Sequence, residues 1–137
     1  MPLLEQVLEQ YPTQVKLVFK NFPLRNHDMA RPAALAALAA GGQGKFWEFH
    51  DLLFKNYSSL ADPKFGAFAE QLGLDRARFD ADRASPSLAA QVDRDLREGS
   101  RVGVRGTPSI FVDGRQLGQR SLPGFRAAVD AALARRR

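Results

Sequence analysis

Few residues in this 137-residue chain could do chemistry. There is no cysteine, so the chain itself holds no disulfide, no thiolate metal site and no cysteine nucleophile. The two histidines, His27 and His50, have acids beside them in Asp28, Glu48 and Asp51. A catalytic zinc needs three converging protein ligands, and no HExxH or comparable spacing occurs, so no metal site is expected. His50, between Phe49 and Asp51 in an aromatic-rich run, reads as a packed histidine with its polar tip hydrogen-bonded. No GxSxG offers a strained serine nucleophile. Gly41-Gly42-Gln43-Gly44 lacks both the preceding strand and the GK[ST] ending of a phosphate loop, and reads as a helix–helix turn. Trp47, with Phe46 and Phe49, reads as core, and no cofactor is implied.

What remains is RGTPSIFVDG, residues 105–114. Ser109 to Val112 is a short β-branched and aromatic run, and Asp113-Gly114 is a tight-hairpin dipeptide. Pro108 stands at the head of this strand, where its missing N–H costs no ladder bond. A proline in that position, just after Gly106-Thr107, is consistent with a cis peptide, although only about 5–6% of such bonds in folded proteins are cis. From the local sequence alone a trans proline that ends the loop is the expected form, and only wider context could make Gly106, Thr107 and Pro108 a site.

These residues must be positioned by elements that the apolar spacing outlines. Leu3, Leu4, Val7 and Leu8 mark an amphipathic helix with no cap at its start, stopped at Tyr11-Pro12. QVKLVFKNF (14–22) alternates well enough to predict a strand, covered on both faces over part of its length. From His27 to Gly103 every periodic segment predicts helix. Ala30–Ala40 ends at Gly41-Gly42, a pair suited to a left-handed cap, and Lys45–Asn56 carries a wide apolar face. Asp62, Asp75 and Ser85 are predicted N-caps of three further helices, the last bearing Leu88, Ala89, Val92 and Leu96. A second short strand is predicted around Gln116-Leu117, then a closing helix capped by Ser121 with Phe125, Val129, Ala132 and Leu133 on one face.

Composition sets the class. With 45% hydrophobic and 26% charged residues, the chain is an ordinary globular one. Its net charge of +5 is spread, except for Arg135-Arg136-Arg137, read as a solvated helix end, and no reading motif points to nucleic acid. No apolar run reaches membrane-span length, and MPLLEQVLEQ has no export-signal pattern.

YPTQVKLVFKNFPL (11–24), ARPAALAALAAGGQGKFWEFHDLLF (30–54) and VGVRGTPSIFVDGRQL (102–117) together closely resemble the DsbA-like thioredoxin-fold family of thiol-disulfide oxidoreductases. The resemblance implies an α/β thioredoxin-like fold over residues 1–137, with 11–24 and 104–137 as core and 26–103 as an all-helical insertion between strands. It also implies that Pro108 is the family's cis-proline, and that the backbone of Thr107 pairs with an extended polypeptide substrate. The family's CxxC follows a central first strand, at the start of the first helix, where the helix dipole lowers the nucleophile's pKa. Here Met1-Pro2-Leu3-Leu4-Glu5 looks like the middle of that helix, so strand and CxxC are expected to lie upstream, through truncation, a misplaced start or natural loss.

Without a thiolate the chain is expected to be redox-inactive as given. The sheet gap is expected to close by direct pairing of Val15–Lys20 with Ser109–Val112, or by a second chain in a homodimer. A different reading is a non-catalytic module that holds extended or unfolded polypeptides by β-augmentation at Thr107-Pro108. A glutathione-type enzyme using serine finds no support, because no serine precedes Ser58. The resemblance points to a periplasmic or otherwise extracytoplasmic setting, where disulfides persist.

Overall fold

Where the apolar spacing is helical, helices form. The computed structural model describes residues 2–136, in the order α1 (Pro2–Gln10), α2 (Ala30–Gly41), α3 (Phe46–Lys55), α4 (Asp62–Gln71), α5 (Arg76–Arg83), α6 (Pro86–Arg101), β1 (Phe111–Val112), β2 (Arg115–Gln116) and α7 (Leu122–Arg135). A single 3-10 turn, Tyr57–Ser59, lies between α3 and α4. The chain divides into two compact units. One runs from Lys20 to Gly103; the other joins the N-terminal part through Phe19 to everything from Val104 onward.

The helical unit is built on a size mismatch between helices. α2 presents Ala33, Ala36, Ala37, Ala39 and Ala40, and these small side chains leave room for Phe49 and Leu53 of α3, Phe65 and Phe68 of α4, and Phe79 of α5. Phe49 is fully buried and sits at the centre of the aromatic set, 5.8 Å edge-on from Phe68 and 5.6 Å from Phe79. Such offset and edge arrangements are the favourable ones for aromatic pairs. Trp47 faces outward at 39% exposure, so of the three aromatics expected in the core at this helix only Phe49 is fully enclosed.

Helix starts follow local chemistry where the cap side chain has no stronger partner. Asp75, Ser85 and Ser121 accept from the backbone N–H of Arg78, Leu88 and Gly124. Asp62 does not cap. The helix begins at Asp62 itself, and its carboxylate accepts from Arg83 at 3.0 Å. The left-handed residue after α2 is Gly44 (φ +78°), whereas Gly42 keeps a right-handed φ of −62°. The chain thus needs three further residues to reverse beyond the predicted stop.

The predicted strand at 14–22 does not form. Val15 and Leu17 are half-buried and Lys16 and Val18 exposed, so the alternation is realised in burial without a ladder. Val18, 60% exposed, is not covered. Among the described residues the sheet is β1 and β2 alone, and no pairing joins 15–20 to 109–112. The expected re-pairing therefore fails: Val15 joins the apolar cluster centred on Val7, Phe125 and Val129, so its stretch is held by side-chain burial instead.

Candidate functional site

Gly106, Thr107 and Pro108 lie together on the loop that leads into β1. Thr107 and Pro108 are exposed and Gly106 half-exposed. The bond between Thr107 and Pro108 is cis. Ser109 Oγ donates to the Gly106 carbonyl at 2.7 Å, which fixes the loop against the strand that follows.

The hairpin is narrower than Ser109–Val112 suggested. Phe111 pairs with Gln116 and Val112 with Arg115, and the Leu117 N–H donates to the Ile110 carbonyl at 2.7 Å. Asp113 (φ +48°) and Gly114 (φ +81°) both adopt the left-handed region, the turn that matches strand twist. The sequence signal for this turn was specific, because few dipeptides tolerate two positive φ values in a row.

Helices hold the hairpin from one side. Val7 of α1 and Phe125 and Val129 of α7 form a buried cluster, onto which Val15, Ile110, Val112 and Leu117 pack. Two side-chain bonds clamp α1 and its end to α7: Tyr11 donates to Asp130 at 2.8 Å, and Arg126 donates to Gln10 at 2.7 Å. The Tyr11 hydroxyl pKa is raised, first because it donates to the Asp130 carboxylate. At the start of α7, Gly124 lies under the Gln119 carbonyl, where a Cβ has no room.

Between these parts opens a cleft of about 340 Å³. Residues 14–17 line it on one side and 110–113 on another; Leu4, Val7, Phe125 and Leu133 make it apolar, and Arg136 also lines it. β1 has one ladder partner, β2, and residues 14–17 on the other side of the cleft do not pair with it. Sequence reasoning expected the gap to close and so missed this cleft.

Arg136 is exposed at the end of α7, as its sequence suggested, and in addition has a partner. It holds Asp113 through two bonds, of 2.9 and 3.1 Å. Arg137 lies outside the described residues, as does Met1. The guanidinium hydrogen bonds lower the Asp113 pKa below its ordinary value and raise that of Arg136. A carboxylate whose folded pKa is depressed adds stability above its unfolded pKa and loses it as pH falls through the folded one. We expect the hairpin tip to loosen on acidification from about pH 5 to about pH 2. Amide exchange at Gly114 and Arg115 should show this in the parent chain and not in Asp113→Asn, since asparagine tolerates the same backbone. Identical pH profiles in the two would refute the pairing.

The remaining sequence candidates lie in the helical unit and do not converge. His50 is buried beside Phe46, Trp47 and Phe54, with its ring 4.5 Å from Phe54, and its Nδ1 lies 3.4 Å from Asp51. His27 is exposed. Among the described residues no three of His, Cys, Asp and Glu gather as a metal site. Among the described residues no helix is long and apolar enough to cross a membrane.

One buried polar contact escaped the sequence. Asp95 Oδ2 accepts from both the backbone N–H and the Nδ2 of Asn21, each at 3.0 Å, and both residues are buried. The available signal is its position: Asp95 follows Val92 by three on the buried stripe of α6, next to the apolar Leu96 that hydrophobic spacing favours.

Known proteins share this arrangement. The crystal structure of a thioredoxin-like oxidoreductase from Silicibacter pomeroyi DSS-3 superposes with a TM-score of 0.83 at 27% identity, over 98% of this chain and 77% of that one. The chain is 36% identical over 135 residues to the Na(+)/H(+) antiporter NhaA 1 of Salinispora arenicola, and 37% identical over 135 residues to NhaA 3 of Salinispora tropica. Each match takes in 97% of this chain and 21% of the relative, so the chain spans about a fifth of the length of these curated relatives. The fold is thioredoxin-like, mostly helical with a small two-stranded sheet. The model of the DSBA-like thioredoxin domain matches residues 2–130, and the chain belongs to that family.

Proposed function

We propose that this domain is the polypeptide-holding part of a DsbA-like thiol-disulfide oxidoreductase, and that the chain alone does not exchange disulfides. One observation carries the reading: the Gly106-Thr107-Pro108 loop, exposed at Thr107 and Pro108, leads through Ser109 and Ile110 into a strand paired on one side only, beside an apolar cleft. An extended or unfolded polypeptide laid there would gain backbone hydrogen bonds along the loop and bury alternate side chains. Family membership supports the class of reaction, and the absence of cysteine supports inactivity, because disulfide exchange begins with thiolate attack. The setting is extracytoplasmic, as persistent disulfides require. Antiport is not carried over, because the match covers 21% of those relatives.

The test is a disulfide-exchange assay on this chain and on a longer form extended through its upstream coding sequence, together with amide-shift mapping using an unfolded, alkylated polypeptide. The chain alone should give no exchange while the longer form does, and the polypeptide should shift amides from Gly106 to Val112. Exchange by the chain alone would defeat the first half of the reading. Shifts confined to the helical unit would defeat the second. If the cleft is instead filled by a second copy, sedimentation will show a concentration-dependent dimer that the polypeptide does not dissociate. An upstream sequence without a cysteine pair would leave the non-catalytic binding module as the function.

A further inference from the structure

Helix α6 sorts its charges. Its acids are engaged within the helical unit: Asp93 accepts from Arg31 at 2.9 Å, Asp95 accepts from Asn21, and Glu98 lies 3.6 Å from Lys20. Its arginines at 94, 97 and 101 form no ion pair among the described residues. Their spacing of three and four places them along one stripe of the helix. In the linear sequence these arginines alternate with acids and look balanced; the fold takes the acids away and leaves the cations.

Beside that stripe is an open hollow of about 770 Å³, within the helical unit. Arg25, Arg97 and Arg101 line it together with Phe22, Leu24 and Leu96, and no carboxylate does. Three cations around one hollow repel one another, so an anionic occupant is favoured. Guanidinium forks match carboxylates two bonds at a time. The apolar lining decides the class of ligand. Phe22, Leu24 and Leu96 are half-buried and recessed, so they receive a projecting apolar group and do not insert into a bilayer. A nucleic-acid backbone would use the arginines and leave the apolar lining unused.

We propose that this hollow is a docking site for an acidic polypeptide segment in which one or two apolar residues are flanked by carboxylates. The apolar group enters against Phe22, Leu24 and Leu96, and the flanking carboxylates meet Arg25, Arg97 and Arg101. The site shares no residue with the Gly106–Pro108 loop and needs no redox chemistry, so it stands or falls independently of the function proposed above.

The test uses the full chain and a fluorescein-labelled peptide of sequence Glu-Glu-Phe-Leu-Glu-Glu, followed by anisotropy in low and moderate salt. Binding should weaken about tenfold in the Arg97→Gln, Arg101→Gln double variant, as expected for two exposed ion pairs, and should be salt-sensitive. Two altered probes on the unmodified protein remove any doubt about folding. Glutamine in place of every glutamate, or serine in place of Phe-Leu, should each reduce binding by a similar factor. Equal affinity for either altered probe, or no loss in the double variant, overturns the proposal. So does binding to phosphatidylglycerol vesicles or to duplex DNA with none to the acidic peptide.

Discussion

Phe49→Ala should remove about 3–5 kcal/mol of stability from the helical unit, a large share of the roughly 5–15 kcal/mol that holds a domain together. The ring is fully buried, and it touches the aromatic rings of two other helices, Phe68 of α4 and Phe79 of α5. Its other neighbours include the alanine face of α2. An alanine on a rigid helix cannot grow to fill the space, so the cavity stays open and the cost lies near the upper end for a core truncation. Urea unfolding followed by the fluorescence of Trp47, the single tryptophan and on the same helix, measures it directly. Phe49→Leu keeps most of the volume and should cost less than half as much. A loss below about 1 kcal/mol in the alanine variant would mean that α2 and α3 close over the gap, against the packing argument.

Asp95→Ala should cost about 2–3 kcal/mol, although it deletes only a carboxylate. Asp95 is 7% exposed and Asn21 4%, and a single oxygen receives two donors from Asn21. Truncation strands a buried backbone N–H and a buried amide, and an unsatisfied buried donor costs more than the net worth of the bond it lost. Asn21→Ala removes the amide but not the backbone N–H, so a double-mutant cycle should show positive coupling of about 1 kcal/mol. Additive losses would mean that water already serves these groups. The contact matters for position as well, because it ties the segment at Asn21 to α6.

Helical periodicity and caps were legible because both are local. Ser85 and Ser121 need only the backbone three residues ahead, and the alanine-rich run of α2 advertises a face that admits aromatic rings. The Asp113-Gly114 turn was legible for the same reason. Where a side chain had a choice between a local and a distant partner, the distant one was invisible: Asp62 gave up its cap for Arg83, and Arg136, still exposed, reached Asp113. A bidentate or well-aimed guanidinium outweighs a weak local bond, and nothing in the neighbouring residues announces it.

The sequence by itself determined the helices, the hairpin turn, the family resemblance and the lack of any thiol, since each depends on residue identity at short range or on composition. Only the tertiary structure decided that 14–22 stays out of the sheet, that of the neighbours Asp95 and Leu96 the acid is the more buried, and that the arginines of α6 form no ion pair among the described residues. A ladder, a buried hydrogen bond and a charge balance are properties of pairs, and the partners here are distant in sequence: Asn21 lies 74 residues from Asp95, and Arg31 lies 62 from Asp93.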